Sequence, residues 1–429
     1  MIRWTKNKYH LIWSFFVALY FKFPSKRIKV IGVTGTNGKT TTIQMIGKIL
    51  EEDGHRVAMA STINFKFAKK EWVNETKFTT LSAWNVQKFI KRAIEERCEY
   101  LVLEVSSHAL DQSRLWGVYF DVAVVTNVTR EHLDYHVSMN KYRDTKAKLF
   151  KKLKKNGFGV VNLDMEVPQR FVGIAEKNKN RVIGFTTDKD KWGNFKKDGT
   201  LMTVLGERIT SSIRGSYFTI RGERFHLSLP GVFNIENALA AVCIASLQGV
   251  RLNTSRKALE QIETVSGRMD YVDNNRDLSI MVDYALTPDS MEKIGYLLRR
   301  AQSNHEFKKI IWVFGSCGER DRGKRPIMGE IVAKYGNFAI VTNEDPYGED
   351  PDQIINEVFQ GILSGGMKEG KNCWKISQRR EAIKKALEIA TEGDFILVTG
   401  KGAEETMAIG KERIPWNDKR VIKELLDEE

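Results

Sequence analysis

The chain has 429 residues, which is enough for two or three domains of about 150 residues each with ample hydrophobic core. Its formal net charge of +14 is compatible with nucleic acid, an anionic membrane or a polyanionic small substrate. The basic residues are dispersed or lie in short runs outside any recognisable nucleic-acid module, so we expect small-molecule substrates and no nucleic-acid partner. The four cysteines are far apart and form no C-x-x-C pair, which indicates a reduced, cytoplasmic protein.

The first element in chain order is an apolar run at residues 9–21, with the sequence YHLIWSFFVALYF. As a helix it would be about 20 Å long, shorter than the hydrocarbon core of a bilayer at about 30 Å. No small-residue cleavage pattern follows it, which argues against a signal peptide. Three interpretations stay open: a helix packed on the protein, a helix that contacts a membrane surface or a partner through residues 9–23, and an inserted helix. The flanking basic residues are Arg3, Lys6, Lys8, Lys22, Lys26 and Arg27.

From residue 28 onward the chain alternates short apolar runs with amphipathic stretches, which is typical of a doubly wound α/β fold with a mostly parallel sheet. A polar region at about 186–227 is expected to be rich in β-strands. We predict an N-terminal arm at 1–27, a first α/β domain at 28–255 and a second at 256–429. The predicted strands are 29–33, 56–62, 99–106, 120–128, 157–164, 278–285, 308–316, 337–345 and 394–402, and the predicted helices include 83–97 and 234–249.

A glycine-threonine loop with the sequence GTNGKT follows the first predicted strand and precedes a predicted helix. Backbone N–H groups of such a loop and the positive end of the helix dipole favour an anion, Lys39 adds a charge for the outer phosphates, and a threonine hydroxyl can reach Mg²⁺. The pattern G-x-x-x-x-G-K-[ST] would need glycine at Val33, so the loop is a shorter variant. We predict that it holds nucleotide phosphates with Gly35, Thr36, Asn37, Gly38, Lys39, Thr40 and Thr41.

Two further polar residues follow predicted strands. Glu104 stands at the carboxyl end of strand 99–106, and His132 comes shortly after strand 120–128, which is where ligands collect in open α/β sheets. A carboxylate and a neutral imidazole there can bind a divalent cation that bridges nucleotide phosphates. By itself His132 reads as an ordinary hydrogen-bonded polar residue, but the phosphate loop in the same sheet favours metal binding.

Six motifs follow one another along the chain: GVTGTNGKTTT, EVSSHALDQSR, TNVTREHLDYH, VDYALTPDS, VFGSCGERDRGKRPIMG and LVTGKGAEE. Together they resemble the Mur ligases of peptidoglycan synthesis, most closely the MurE type, which adds the third amino acid to UDP-N-acetylmuramoyl-L-alanyl-D-glutamate. The resemblance covers about residue 28 to the end, in the family's order. It implies a central P-loop-type ATPase domain, a Rossmann-like C-terminal domain, and ATP and Mg²⁺ as cofactors. It also implies that a substrate carboxylate takes the γ-phosphate of ATP and that an amine then attacks the acyl phosphate.

The resemblance also implies roles for single residues. Lys39 and Thr40 would hold the ATP phosphates and Mg²⁺, and Glu104 and His132 would ligate a second Mg²⁺. Lys146 falls where the family carries a lysine carbamylated by CO₂; a carbamate is anionic and suits a position beside Mg²⁺, whereas spacing alone makes Lys146 a surface lysine. The positions around the nucleotide are Asn237, Arg268 and Asp283. The positions around the acceptor and the incoming amino acid are Thr79, Thr80, Ser106, Gln112, Arg114, Asp345, Tyr347, Gly400 and Glu404.

The sequence departs from the family pattern in three places. The family's first domain, which grips the UDP part of the substrate, is not matched, and residues 1–27 stand in its place. Leu286 and Ala403 replace two family histidines. Because the phosphate and metal positions are kept, we expect an active, monomeric ligase with altered recognition of the carrier.

The stretch TNEDPYGEDP bears on which amino acid is added. In family members that use meso-diaminopimelate the matching residues read D-N-P-R, and the arginine pairs with the distal carboxylate. Here Tyr347 replaces the arginine. We therefore expect a lysine-like amino acid held by Asp345 and Glu404, unless Lys324 or Arg325 takes the arginine's role.

Two other interpretations of the function stay open. The chain could be a folylpolyglutamate-synthase-like or other Mur-type ligase on a different carrier, although EVSSHALDQSR favours the muramoyl substrate. It could also be a nucleotide-binding interaction protein without ligase activity, docked through its N-terminal arm. Amino-acid-dependent phosphate release distinguishes these interpretations.

Overall fold

The computed structural model of the protein describes residues 2–76, 78–197 and 202–428. Over these residues the chain forms an N-terminal helix, a large mostly parallel sheet, a small antiparallel sheet, a second mostly parallel sheet and a C-terminal hairpin. The predicted α/β fold class is confirmed.

The helices and strands have the following bounds in the described residues. The helices are α1 (Ile2–Tyr20), α2 (Lys39–Glu52), α3 (Ala83–Glu95), α4 (Ser107–Asp111), α5 (Leu133–His136), α6 (Met139–Ala147), α7 (Gln169–Lys177), α8 (Lys189–Lys197), α9 (Val232–Leu247), α10 (Leu252–Glu260), α11 (Pro288–Ser303), α12 (Arg325–Tyr335), α13 (Pro351–Ser364), α14 (Arg379–Ile389) and α15 (Asp418–Asp427). The strands of the first half are β1 (Lys29–Thr34), β2 (Val57–Ala60), β3 (Asn64–Phe67), β4 (Lys70–Val73), β5 (Tyr100–Glu104), β6 (Phe120–Val125), β7 (Leu153–Asn162), β8 (Arg181–Thr186), β9 (Met202–Leu205), β10 (Glu207–Ser212), β11 (Gly215–Ile220) and β12 (Glu223–Leu227). Those of the second half are β13 (Asp270–Val272), β14 (Ser279–Asp283), β15 (Ile310–Phe314), β16 (Phe338–Val341), β17 (Cys373–Lys375), β18 (Phe395–Thr399), β19 (Thr406–Ile409) and β20 (Glu412–Pro415).

Within the described residues, the first sheet has nine strands in the order β4-β3-β2-β5-β1-β6-β7-β8-β9. Strand β1 pairs in parallel with both β5 and β6, with Val33 opposite Glu104 and Val124. Its side chains alternate between two cores: Ile31 and Val33 pack in the core that contains α2 and α9, and Val30 packs in the core that contains α3. Burial on both faces explains why these strands read as continuous apolar runs. The carboxyl ends of β1, β5 and β6 consequently meet at one edge of the sheet.

Two features of this part are not predicted by the sequence. Strands β3 and β4 form an antiparallel hairpin at the edge of the sheet. Helix α8 lies in the region expected to be rich in β-strands, because the Asp188 carboxylate accepts hydrogen bonds from the backbone N–H groups of Asp190 and Lys191 and so caps the helix. The rest of that region forms β9 to β12, and residues 198–201 lie outside the described residues.

The second large sheet has six strands in the described part of the chain, in the order β13-β14-β18-β15-β16-β17, and β13 is antiparallel to β14 while the others are parallel. Helix α10 packs on α2 and β12 of the first part, so the connection between the two parts lies between Glu260 and Asp270. The expected boundary at residues 255 and 256 falls inside α10.

The two parts contact each other on both sides of a cleft. On one side, Asn37 Nδ2 donates a hydrogen bond to Asp289 Oδ2 at 2.8 Å and another to Thr287 Oγ1 at 3.2 Å. On the other side, Lys324 Nζ donates to Glu131 Oε1 at 3.1 Å. These contacts bring the second part over the carboxyl edge of the first sheet.

Helix α1 packs on the first part by one face. Ser14, Val17 and Ala18 are buried, and the ring of Phe15 lies 4.9 Å from that of Trp116. This arrangement agrees with the first of the three interpretations of the arm. Within the described residues, no helix combines the length and the apolar character needed to cross a membrane.

Candidate active site

The loop between β1 and α2 has a shape that only glycine permits at two positions. Gly38 has φ +81°, and a Cβ there would come within 2.2 Å of the Oδ1 atom of Asn237. A Cβ on Gly35 would come within 1.9 Å of the Oγ1 atom of Thr126. The loop is held by Asn127, whose Oδ1 accepts a hydrogen bond from the Asn37 backbone N–H at 2.9 Å. The glycines therefore allow a tight cradle directly before the positive end of α2.

Lys39 and Thr40 are the first two residues of α2. The Lys39 ammonium donates to the Thr36 carbonyl oxygen at 2.9 Å, and desolvation in the cleft lowers its pKa. The Thr40 hydroxyl donates to Glu104 Oε2 at 3.0 Å. The loop thus places a cation and a hydroxyl at the mouth of the cradle.

Glu104 ends β5 and is buried. Besides Thr40, its carboxylate accepts hydrogen bonds from Thr62, from the backbone N–H at 2.8 Å and from the hydroxyl at 2.9 Å. A hydroxyl oxygen and a carboxylate oxygen in direct contact are the hard oxygen donors that Mg²⁺ prefers. This donor set fits a cation that also takes oxygens from nucleotide phosphates.

Lys146 is fully buried behind the loop. Its Nζ donates to the Gly35 carbonyl oxygen at 2.6 Å and lies 4.6 Å from the centre of the Tyr142 ring. Burial, followed by the nearby charge of Lys39, holds the pKa of Lys146 well below its usual range. Spacing alone predicted an exposed surface lysine at position 146, and this prediction is wrong because Lys146 is buried.

His132 has a left-handed backbone with φ 56° and lines the cleft. Its ring lies edge-on to that of His108, with centroids 4.8 Å apart. Desolvation and the neighbouring His108 hold the pKa of His132 well below its usual value, so the ring is neutral at pH 7. Within the described residues no three His, Cys, Asp or Glu side chains form a group that could hold a metal ion by themselves.

The residues expected around the acceptor lie next to Glu104. The Thr80 hydroxyl donates to the Glu104 carbonyl oxygen at 2.8 Å and accepts from the Ser106 N–H at 2.9 Å. Arg114 donates through Nε to Gln112 Oε1 at 2.8 Å and through Nη1 to the Thr80 carbonyl oxygen at 3.2 Å. Thr79 lines the same cleft as Glu104 and accepts from the Thr62 hydroxyl at 3.3 Å.

The residues expected around the nucleotide line a second cavity that adjoins the loop. Arg268 crosses from the second part: its Nη2 lies 3.4 Å from Thr40 Oγ1, and its guanidinium stacks 4.5 Å from the Tyr284 ring. Asp283 Oδ2 accepts from the Met269 N–H at 2.7 Å, and burial raises its pKa. The lining of this cavity includes Asn37, Gly38, Thr41, Asn237, Arg268 and Asp283.

The residues expected around the incoming amino acid face the loop across the main cleft, which opens to solvent. Tyr347, Gly400 and Glu404 line it together with Asp345. The expectation that Asp345 offers its carboxylate to a substrate ammonium needs correction, because Asp345 Oδ1 already accepts from Lys401 Nζ at 2.8 Å and from the Ala408 N–H at 2.6 Å.

The two cations considered as substitutes for the missing arginine are also engaged. Lys324 is buried against Glu131, and Arg325 is buried between Glu349 and Glu357. Exposed Arg320 instead lies over the Tyr347 ring at 5.6 Å and lines the cleft.

Sequence reasoning missed four residues that line this cleft. Arg320 and Cys317 follow the end of β15, and their position after a strand was the available signal. Glu344 is buried, and burial raises its pKa to about 7. Glu131, next to His132, carries the contact with Lys324 across the cleft.

Two domain families match the chain: the Mur ligase middle domain over residues 33–245, and the glutamate ligase domain of Mur ligases over residues 267–402. The chain belongs to the Mur ligase family. It is 36% identical over 415 residues to the UDP-N-acetylmuramoyl-L-alanyl-D-glutamate--2,6-diaminopimelate ligase of Caldanaerobacter subterraneus subsp. tengcongensis, covering 95% of this chain and 80% of that protein. It is 36% identical over 413 residues to the UDP-N-acetylmuramyl-tripeptide synthetase of a Roseiflexus species, covering 94% and 79% of the two chains.

The Mur ligase fold extends over almost the whole chain. A solved UDP-N-acetylmuramoyl-L-alanyl-D-glutamate--2,6-diaminopimelate ligase is similar with a TM-score of 0.61 and 29% identity, over 94% of this chain and 78% of that one. Mur ligases are ATP-dependent ligases of peptidoglycan precursor synthesis, so the predicted enzyme class is confirmed. The phosphate loop of this Mur ligase and its oxygen donors agree with ATP and Mg²⁺ as cofactors.

Proposed function

We propose that this Mur ligase joins an amino acid to the free carboxylate of a muramoyl-dipeptide, using ATP and an acyl-phosphate intermediate. The observation that carries the proposal is the contact between the Thr40 hydroxyl and the Glu104 carboxylate at the mouth of the phosphate loop, with Thr80 and Ser106 directly beside Glu104. Phosphate-binding and acceptor-binding groups thereby share one edge of the sheet.

The residues of the chain have distinct tasks in this reaction. The loop N–H groups, Lys39 and Arg268 hold the ATP phosphates and offset the charge that spreads over the transferred phosphoryl group. Arg114, Gln112 and Thr80 hold the acceptor so that its carboxylate points at the γ-phosphate. Glu404 faces the same cleft from the second part; its carboxylate also pairs with Lys401, but 19% of its side chain stays exposed and can receive the incoming amine.

Thr40, Glu104 and His132 are the groups that would hold Mg²⁺. When bound, Mg²⁺ neutralises phosphate charge and polarises the transferred group. The second part of the protein closes the cleft from above, which keeps water away from an acyl phosphate that would otherwise hydrolyse.

We also propose that Lys146 is carbamylated. Burial keeps its amine neutral, and a neutral amine can attack CO₂, forming an N–C bond and releasing one proton to solvent. The product is an anion, which the nearby ammonium of Lys39 attracts, whereas the neutral amine offers that ammonium no charge.

The remaining parts of the proposal concern the carrier and the setting. Binding through Thr79, Thr80, Ser106, Gln112 and Arg114 involves the dipeptide end of the acceptor, so the group at its other end matters less. We propose a monomer that works in the cytoplasm and contacts a membrane or partner through residues 9–23.

One assay tests the proposed function. Purified protein is incubated with ATP, Mg²⁺, UDP-muramoyl-dipeptide or a lipid-linked equivalent, and each candidate amino acid in turn. We expect phosphate release that depends on both the acceptor and one amino acid, and a product heavier than the acceptor by that residue. Phosphate release without any amide product, or only with a folate acceptor, would contradict the proposal.

A further inference from the structure

Helix α1 carries a second apolar face, turned away from the one that packs on the protein. Ile12, Phe16 and Tyr20 are 57%, 60% and 69% exposed, and they follow one another at a spacing of four residues. Such a spacing places side chains along one side of a helix. We define the α1 stripe as Tyr9, Ile12, Trp13, Phe16, Leu19 and Tyr20, all of which are exposed.

The stripe continues into an aromatic cluster on the first domain. The Tyr20 ring stacks on the Trp84 ring with centroids 5.3 Å apart, and Trp84 is itself exposed. Single exposed apolar side chains are ordinary on protein surfaces, but a contiguous row of them marks a contact surface. The stripe therefore needs a binding partner that is apolar over the length of the helix.

The surroundings of the stripe are basic. The first acidic residue in the chain is Glu51, so no acidic side chain belongs to the arm. The exposed charges that flank the stripe are Lys6, Lys8, Lys22, Lys26 and Arg27.

A second run of lysines adjoins the arm from the first domain. Lys148 Nζ lies 3.1 Å from Asp111 Oδ1, and Asn7 of α1 donates to the other oxygen of Asp111 at 3.0 Å. Lys154 Nζ donates to the Ile28 carbonyl oxygen at 3.4 Å. The run 148–155 thus lies beside both ends of the arm, with Lys151 and Lys155 exposed.

We propose that the α1 stripe binds the surface of an anionic lipid bilayer, with the helix lying in the plane of the interface. Tryptophan and tyrosine prefer the boundary between headgroups and acyl chains, and lysines beside them attract anionic headgroups. An amphipathic helix with an aromatic face and a lysine-rich rim is the usual form of such an anchor.

The charge pattern distinguishes the bilayer from a second copy of the chain. A symmetric dimer through the stripe would bring two identical patches together, and with them two basic rims. Like charges across an interface oppose association. A surface of opposite charge, which anionic lipids provide, complements the rim instead.

Vesicle co-sedimentation tests the proposal, with no ATP, acceptor or amino acid present, so that its failure is independent of the ligase reaction. The vesicles contain phosphatidylcholine alone or equal parts of phosphatidylcholine and phosphatidylglycerol. We expect the wild-type protein to bind the anionic vesicles, and we expect Ile12→Ser/Phe16→Ser to lower the partition coefficient by about tenfold or more. Lys22→Glu/Lys26→Glu should lower it by about tenfold on anionic vesicles. The matched control is Tyr296→Ser on α11, which alters a side chain that is 57% exposed and should not change binding.

Depth-dependent quenching identifies the buried face. The chain has nine tryptophans, so the wild-type protein is compared with Trp13→Phe on vesicles that contain brominated lipids. We expect a part of the quenching to be lost in Trp13→Phe.

Three results would overturn the proposal. Wild-type protein that binds neither kind of vesicle would show that no lipid surface occupies the stripe. Equal binding by the wild type and Ile12→Ser/Phe16→Ser would show that another surface binds lipid. A wild-type dimer in sedimentation velocity that becomes a monomer in Ile12→Ser/Phe16→Ser would show that a second copy covers the stripe.

Discussion

The ion pair between Lys324 and Glu131 should control closure of the cleft, and Lys324→Met is the variant that tests this. The two side chains are 2% and 4% exposed, and Lys324 also donates to the Leu286 carbonyl oxygen at 2.9 Å. Glu131 Oε2 has no hydrogen-bond partner among the described residues, and burial already raises the pKa of this carboxyl. Without Lys324, the closed state would therefore hold an uncompensated carboxylate, which it can relieve only by taking up a proton.

The magnitude follows from the cost of that proton. Keeping a carboxyl neutral at pH 7 when its ordinary pKa is 4.5 costs about 3 kcal/mol. Because the pair joins two domains, this free energy is removed from closure rather than from the folding of either domain. Because the raised pKa of Glu131 shows that the wild type already bears part of this cost, the closure constant should fall by up to about 300-fold at pH 7. A carboxyl whose pKa is raised in the closed state favours closure at low pH and opposes it as pH rises. The closure defect of Lys324→Met should therefore nearly vanish close to pH 4.5.

Small-angle X-ray scattering and steady-state kinetics measure the effect together. At pH 7 we expect a larger radius of gyration and a much lower kcat/KM for Lys324→Met, and an unchanged unfolding temperature of the first domain. The matched control is Lys334→Met, which removes an exposed ion pair with Glu292 and should change neither quantity. A Lys324→Met protein within about threefold of the wild type at pH 7, or equally defective at pH 5, would refute the reasoning.

Four further predictions follow from the site. Lys146→Ala should abolish amide formation while the unfolding temperature stays within a few degrees, and small carboxylates in the buffer should restore part of the rate; a fully active variant would exclude a role for the carbamate. Burial raises the pKa of Glu344 to about 7, so the stability that its neutral form contributes is lost as pH rises from about 4.5 to 7. Glu344→Gln should therefore raise the free energy of unfolding of the second domain by about 1–3 kcal/mol at pH 8 and hardly change it at pH 4.5. Urea titration at the two pH values measures this difference. Free UDP at micromolar concentration should not compete with the acceptor, and strong inhibition would reveal a uridine site. Comparison of kcat/KM for L-lysine, L-ornithine and meso-diaminopimelate shows which amino acid is added. We expect a preference for a lysine-like substrate because Tyr347 offers no charge to a distal carboxylate. A preference for diaminopimelate that is lost in Arg320→Ala would instead show that Arg320 binds the distal carboxylate.

The features that the sequence predicted correctly are those determined by neighbouring residues and by the regular geometry of a parallel sheet. The phosphate loop could be read directly, since the glycines, Lys39 and Thr40 are contiguous and follow an apolar strand. Glu104 could be placed because a parallel sheet brings strand ends to one edge. Helix α8 was missed because one capping carboxylate, Asp188, decides its start in a polar stretch.

Pairings between distant residues could not be predicted from the sequence. Lys401 pairs with Glu404 three residues on, but nothing in the sequence reveals that it also pairs with Asp345, 56 positions away. The acid in TNEDPYGEDP was therefore interpreted as available to a substrate. Lys324 and Glu131 are 193 positions apart and meet only because the second domain folds over the first. Such ion pairs depend on the tertiary arrangement, and composition and periodicity do not show which distant residues will meet.

The contacts of Asn37 with Thr287 and Asp289 limit how freely the two domains can be recombined. Asn37 belongs to the phosphate loop, yet its side chain is held by residues at the N-terminus of α11, about 250 positions later in the chain. A chimera that joins this first domain to the second domain of another ligase would keep the loop sequence intact and still leave the amide of Asn37 without these acceptors. A functional exchange of domains between ligases therefore requires that the phosphate loop and the start of α11 be transferred together.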